Sequence, residues 1–199
     1  PDMAQDLVHL CNHLELSNIF AMGHSMGGKV VMQLASQAPK LVKKLIVCDI
    51  APKDYGPYQH DHIFNALRAL HLDNYHSRAA LEHSLACHIP DPKIRKLLMK
   101  TTIMRDNHGH FDWRINLHVI SKQYAPQLSK APTLNKPVMC DTLFVKGKNS
   151  DYIYLDDTNV IQQHFPQSEL KTIDHAGHWV HADQPYHLRQ HVYNFLIES

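Results

Sequence analysis

The strongest chemical signal in the chain is five residues long: Gly23-His24-Ser25-Met26-Gly27. A serine with glycines two positions to either side suits the apex of a sharp strand-to-helix turn, where larger neighbours would collide. Such a turn projects the Ser25 hydroxyl and sets the Met26 N–H at a helix N-terminus facing the same space. That N–H can stabilise a developing oxyanion. The implied chemistry is nucleophilic attack on a carbonyl, for which a serine needs a base and the base an orienting acid. The expected chain order for this turn is Ser, acid, His. His178, in Asp174-His175-Ala176-Gly177-His178-Trp179, is the candidate base, with His175 as its close rival; Gly177 leaves room for a turn that aims the imidazole. Two carboxylates compete for the third role. Asp49 ends the strand after the Ser25 helix, and so shares a sheet edge with Ser25, although it could also cap the turn Ile50-Ala51-Pro52. Asp151 follows a later strand.

The elements that must hold these groups are legible around them. Ile19-Phe20-Ala21-Met22 reads as a buried strand and residues 28–38 as a helix closed by Pro39. Leu45-Ile46-Val47-Cys48 reads as a second buried strand. Strand, tight turn, helix and strand within about thirty residues form a βαβ unit and imply a parallel sheet. Upstream, Met3, Leu7, Leu10, Cys11 and Leu14 recur at helical spacing over 2–14. From residue 57 to 130 the strand pattern fades, and helices are expected over 61–70, 77–88, 93–103 and 116–124. Phe111 to Ile115 is a short strand or extended stretch. The sheet pattern resumes at 142–145, followed by a helix near 154–164, a strand at 170–173 and a C-terminal helix. Asp183 and Pro185 read as N-cap and first-turn residues of that last helix. The predicted organisation is an α/β core with a parallel sheet over 1–56 and 131–199, with a helical cap inserted at 57–130.

Composition narrows the function. The 199 residues carry 20 Lys and Arg against 19 Asp and Glu, so no bulk charge draws the chain to nucleic acid. No apolar run approaches the length of a membrane span. The four cysteines, Cys11, Cys48, Cys87 and Cys140, sit in apolar contexts with no C-x-x-C pair, which suits free thiols in the cytoplasm. Histidines are abundant, at 18. His60-Asp61-His62, His108-Gly109-His110 and His175/His178/His181 offer metal-binding atoms, yet neither H-E-x-x-H nor a Cys/His finger spacing occurs, so no metal is expected.

With these residues in place, the chain resembles the α/β-hydrolase superfamily, and within it the YbfF-type bacterial esterases and the abhydrolase-11 group. The matching stretches are DMAQDL (2–7), GHSMGGK (23–29), DIAP (49–52), Trp113-Arg114-x-Asn116, Gly147-x-Asn149-Ser150-x-Tyr152 and GHWVHAD-x-P (177–185). Many members of the superfamily carry the acid in a strand-Gly-x-x-Asp pattern. Here that pattern reads Gly147-Lys148-Asn149-Ser150, with Asp151 one residue late. The YbfF-type pattern instead puts the acid on Asp49. The resemblance also implies strands ahead of the nucleophile, hence about 60–80 residues upstream of Pro1. A His-Gly type loop there would supply the second oxyanion donor.

The expected function is hydrolysis of a small-molecule carboxylic ester, or of an acyl thioester such as acyl-CoA, by a Ser25-His178-Asp49 triad with Met26 in the oxyanion hole. His24, Trp113, Arg114 and Trp179 are candidates for substrate contact, with ordinary packing as the alternative role for the cap pair. A carbon–carbon bond hydrolase on the same fold, or a catalytically incomplete fragment or scaffold, are the competing readings. Ser25 excludes the reactions that need Asp at this turn.

Overall fold

The computed structural model describes residues 1–100, 102–104 and 110–197. They divide into two compact units, Pro1–Asp54 with Ala131–Ser199, and Tyr55–Lys130.

The first unit is built on four parallel strands in the order β1-β2-β5-β6: β1 (Ile19–His24), β2 (Val42–Cys48), β5 (Asp141–Gly147) and β6 (Ser168–Ile173). The two central strands read as near-continuous apolar runs because both their faces are covered. Successive side chains alternate faces. Val47 therefore lies under helix α2 (Met26–Gln37), where Gly28 closes on it. Ile46 and Cys48 instead join Leu143, Val145 and Ile173 against Leu188 and Phe195 of helix α9 (Pro185–Ile197). Helix α1 (Asp2–His13) packs on α2. Lys44 is buried within β2, and its Nζ donates to the Phe195 carbonyl at 2.7 Å near the C-terminal end of α9, where a cation is favoured. Helix α7 (Asp157–His164) links β5 to β6.

Because all four strands run the same way, their C-terminal ends share one edge, and the register aligns them there. His24 pairs with Cys48, Cys48 with Val145, and Gly147 with Ile173. Whatever follows each strand is delivered to that edge.

The second unit has its own core, in which Phe64, Leu67, Leu81, Leu85, Ile89 and Leu98 come together with Phe111 and Leu117. Its helices are α3 (Asp61–Ala69), α4 (Arg78–Ala86), α5 (Pro92–Met99) and α6 (Leu117–Gln123). Three of them start on side-chain caps: Ser77 accepts from Ala80 N–H, Asp91 from Lys93 N–H and Asn116 from Val119 N–H. A short strand at Phe111–Trp113 lies within the stretch expected to be extended, but the expected helix over 93–103 is corrected here. Helix α5 stops at Met99 and does not reach 103, because β3 (Thr102–Met104) pairs antiparallel with β4 (Phe111–Trp113). Thr102 and Ile103 are β-branched and favour a strand once a partner is in register. Among the described residues, no helix is long and apolar enough to cross a membrane.

Candidate active site

Ser25 and Asp49 arrive at the sheet edge in the same way. Each extends its strand by one further ladder bond: Ser25 N–H donates to the Cys48 carbonyl at 2.9 Å and Asp49 N–H to that of Val145 at 2.7 Å. Each then turns out of the sheet in the left-handed region, at φ 54° for Ser25 and 53° for Asp49. A non-glycine residue held there stores on the order of 1–3 kcal/mol and persists only where its surroundings fix it. At Ser25 the fixing is visible. Gly23 lies so close beneath the first turn of α2 that a Cβ on it would stand 2.2 Å from the Gly27 carbonyl oxygen. The rule that both flanking glycines avoid collision holds for only one of them, since a Cβ on Gly27 would meet nothing within 4 Å.

His178 lies in the loop between β6 and the short helix α8 (Val180–Asp183). Its Nε2 is 2.9 Å from Ser25 Oγ and its Nδ1 is 2.8 Å from Asp49 Oδ2. A carboxylate only accepts, so Nδ1 carries the ring proton, and the Nε2 lone pair is left to accept from the Ser25 hydroxyl. Asp49 is fully buried. Besides His178, its carboxylate accepts from Gly147 N–H at 2.9 Å, through Oδ1, and from the Ser150 hydroxyl, through Oδ2. Three donors replace the water that burial removes.

The His178 loop is braced from several sides. Asp183, expected to cap the last helix, instead ends α8, one residue before the Gln184 that precedes α9, and its carboxylate accepts from Gly177 N–H at 2.9 Å and ties down the loop. Asn149 N–H donates to the Ala176 carbonyl, and a Cβ on Gly147 would stand 2.2 Å from the Gly177 carbonyl oxygen. His24 Nε2 donates to the carbonyl of His178 itself at 2.7 Å. Burial, chiefly, pushes His24 down to about 4; the charges of His178 and His181 act the same way, against the carbonyl bond and Asp49. Tyr152 stacks on the His178 ring at 3.7 Å, and Trp179 meets it edge-on at 5.5 Å.

The structure thus brings Ser25, His178, Asp49, His24 and Trp179 together, with Met26 opening α2 beside Ser25. The Met26 N–H, in the first turn, has no acceptor within its helix. Asp151 is exposed on the turn after β5, and the carboxylate on Nδ1 is that of Asp49. Trp113 and Arg114 belong to the other unit, where Trp113 packs on the apolar core and Arg114 is exposed. In the sequence Ser150 and Tyr152 stand out only as part of a matching stretch; a buried acceptor such as Asp49 demands donors, but nothing local in the sequence says which loop provides them. Among the described residues, no group of three or more His, Cys, Asp or Glu is placed to hold a metal ion. Of the histidine groups considered from the sequence, His108-Gly109 lies outside the described residues.

Known proteins agree with this architecture. The sequence pattern described as "Alpha/beta hydrolase family" matches residues 1–188. The chain is 35% identical to the Escherichia coli protein named Esterase YbfF, over 93% of this chain and 70% of that one. It is 35% identical to the Mus musculus sn-1-specific diacylglycerol lipase ABHD11, over 98% of this chain and 64% of that one. It spans about two thirds of the length of the curated relatives it matches. A solved structure described as a marine microorganism esterase superposes with a TM-score of 0.92 at 36% identity, covering 98% of this chain and 76% of that one. The chain belongs to the alpha/beta hydrolase family.

Proposed function

We propose that this protein is a serine hydrolase that cleaves small-molecule carboxylic esters through an acyl-enzyme. The observation that carries the reading is the hydrogen-bonded chain from Ser25 Oγ through His178 to the buried Asp49. His178 Nε2 takes the hydroxyl proton as Ser25 Oγ adds to the ester carbonyl. Asp49 holds the ring by its Nδ1–H and offsets the positive charge that forms. Met26 N–H, at the positive end of α2, donates to the oxyanion. The tetrahedral adduct collapses as Nε2–H protonates the departing alcohol. His178 then draws a proton from water as it attacks the acyl-Ser25, and the second adduct collapses as Nε2–H returns that proton to Ser25 Oγ, which frees the carboxylic acid. The four free thiols suit a reducing compartment, and the reading assigns the protein to the cytoplasm.

The test is labelling of the full chain with a fluorophosphonate, followed by peptide mass spectrometry, beside hydrolysis of p-nitrophenyl esters and of acyl-CoA. The expected result is one adduct on Ser25, none in Ser25→Ala, and ester turnover that disappears with the label. Folded protein without an adduct would overturn the reading. Faster turnover of acyl-CoA than of the esters would move the substrate class to thioesters.

A further inference from the structure

The His178 ring has two faces and two nitrogens, and the proposed mechanism uses only the nitrogens. One face is covered by the Tyr152 ring, with centroids 3.7 Å apart and planes 16° from parallel. Near-parallel stacking at this distance is not the arrangement two neutral aromatic rings prefer, which is offset or edge-to-face. It does suit a ring that becomes a cation, because the negative π face then meets positive charge well within the ~6 Å over which such attraction is felt.

Tyr152 is also held more firmly than a surface tyrosine. Its N–H donates to Ser150 Oγ at 3.3 Å, and that hydroxyl donates onward to Asp49. The next residue, Ile153, is fully buried, and its carbonyl accepts from Lys146 Nζ at 2.7 Å. Ser150 and Tyr152 therefore reach both partners of the acid–base pair: Ser150 touches Asp49, and Tyr152 touches His178. The other groups around the ring are Ser25 and Asp49 at its nitrogens, His24 at 4.7 Å and Trp179 at 5.5 Å. His181 stands beyond them, 4.9 Å from His24. None of these places another π face parallel to the imidazole.

We infer that Tyr152 is a positioning residue whose ring face stabilises the His178 imidazolium formed as Ser25 attacks. The inference rests on the serine-hydrolase reading above. Because the imidazolium exists in the transition state and not in the Michaelis complex, loss of the π face lowers kcat and leaves KM alone.

A packing wall would need only the shape of the ring; an electrostatic partner needs its electron-rich face. Phenylalanine analogues of one shape and rising fluorine content separate the two. Position 152 of the full chain is filled in turn with Phe, 4-fluoro-Phe, 3,5-difluoro-Phe and pentafluoro-Phe, and ester hydrolysis is followed. The expected result is Tyr152→Phe within about twofold of wild type, then a stepwise fall in log kcat reaching about five- to tenfold, with KM constant. Tyr152→Leu, smaller and without a π face, should lose at least as much kcat as the pentafluoro variant. A kcat independent of fluorination would overturn the inference, as would a loss in Tyr152→Phe equal to that in Tyr152→Leu. Wild-type protein that neither labels nor turns over ester fails the serine-hydrolase reading itself, so the two failures are distinguishable.

Discussion

Ser150 donates its hydroxyl proton to the Asp49 carboxylate oxygen that also faces His178 Nδ1. The relationship joins the ends of two neighbouring strands: Asp49 immediately follows β2, and Ser150 is three residues past the end of β5. A carboxylate with a single partner can swing about its χ2. Asp49 is fixed by Ser150 on one oxygen and by Gly147 N–H on the other, so it presents Oδ2 to the imidazole in one orientation.

Removing the hydroxyl donor should therefore cost rate while the fold survives. Ser150→Ala is expected to lower kcat about 10- to 100-fold, the range for one hydrogen bond to a charged group. Asp49→Asn should cost far more, about 10⁴-fold, because the amide holds the wrong imidazole tautomer. Asp151→Asn, exposed and away from the ring, should leave kcat unchanged. Steady-state ester hydrolysis by the three variants checks the order. Equal losses at Asp49 and Asp151 would contradict it.

The two glycines flanking Ser25 should behave in opposite ways. Gly23→Ala places a methyl group 2.2 Å from the Gly27 carbonyl oxygen, against backbone that cannot yield without opening the turn. It should abolish labelling of Ser25 and lower the melting temperature. Gly27→Ala adds a methyl group with nothing within 4 Å, in the first turn of a helix. It should melt at or above the wild-type temperature, by up to about 1 kcal/mol in stability. Thermal melts of both variants decide it.

The sheet and its edge were legible in the sequence because they follow from short-range signals. Two apolar runs flank a glycine-bounded serine, and parallel strands oblige Ser25 and Asp49 to emerge on the same side. The second run is the buried β2. The expectation of burial fails for β1, where Phe20 and Met22 are about half exposed because one face of the strand is left uncovered. The position of His178 followed from its loop between the last strand and the last helix. What escaped is non-local or dependent on pairing. Thr102-Ile103-Met104 carries no strand signal strong enough to stop a helical reading; only its partner Phe111–Trp113 makes it a strand. Ser150 became a partner of Asp49 through the β2–β5 register, which no window of either segment contains. Asp183 has a sequence position that suits a helix cap, and its bond to Gly177 depends on how the loop folds back.

Thiol reactivity should divide the cysteines by burial. Cys87, exposed at the end of α4, should react first with a disulfide reagent, and Cys140 more slowly. Burial pushes the Cys48 thiol up to about 12, with the neighbouring Asp49 charge adding to the effect. It stays protonated, and the thiol form is not the nucleophile. Cys48, and Cys11 because it is buried, should be modified only after denaturation. Mapping native adducts by mass spectrometry tests this, and rapid modification of Cys48 in folded protein would contradict the packing of α9 on β2.

His24 should make the fold sensitive to acid. Its native value is held down to about 4, while an unfolded chain returns it to the ordinary 6.5. Between those values the unfolded state binds a proton that the native state refuses, so stability falls with falling pH. The contribution is whole above about pH 6.5 and declines towards pH 4; below that both states are protonated and it changes no further. His24→Asn removes this titration along with the imidazole bond to the His178 carbonyl. At pH 7.5 the variant should melt below wild type because that bond is lost. Acid should cost the variant less, so the gap between the two melting temperatures should narrow steadily down to pH 4.5. A gap that stays constant over this range would mean that His24 is protonated in the folded protein as readily as in the unfolded chain.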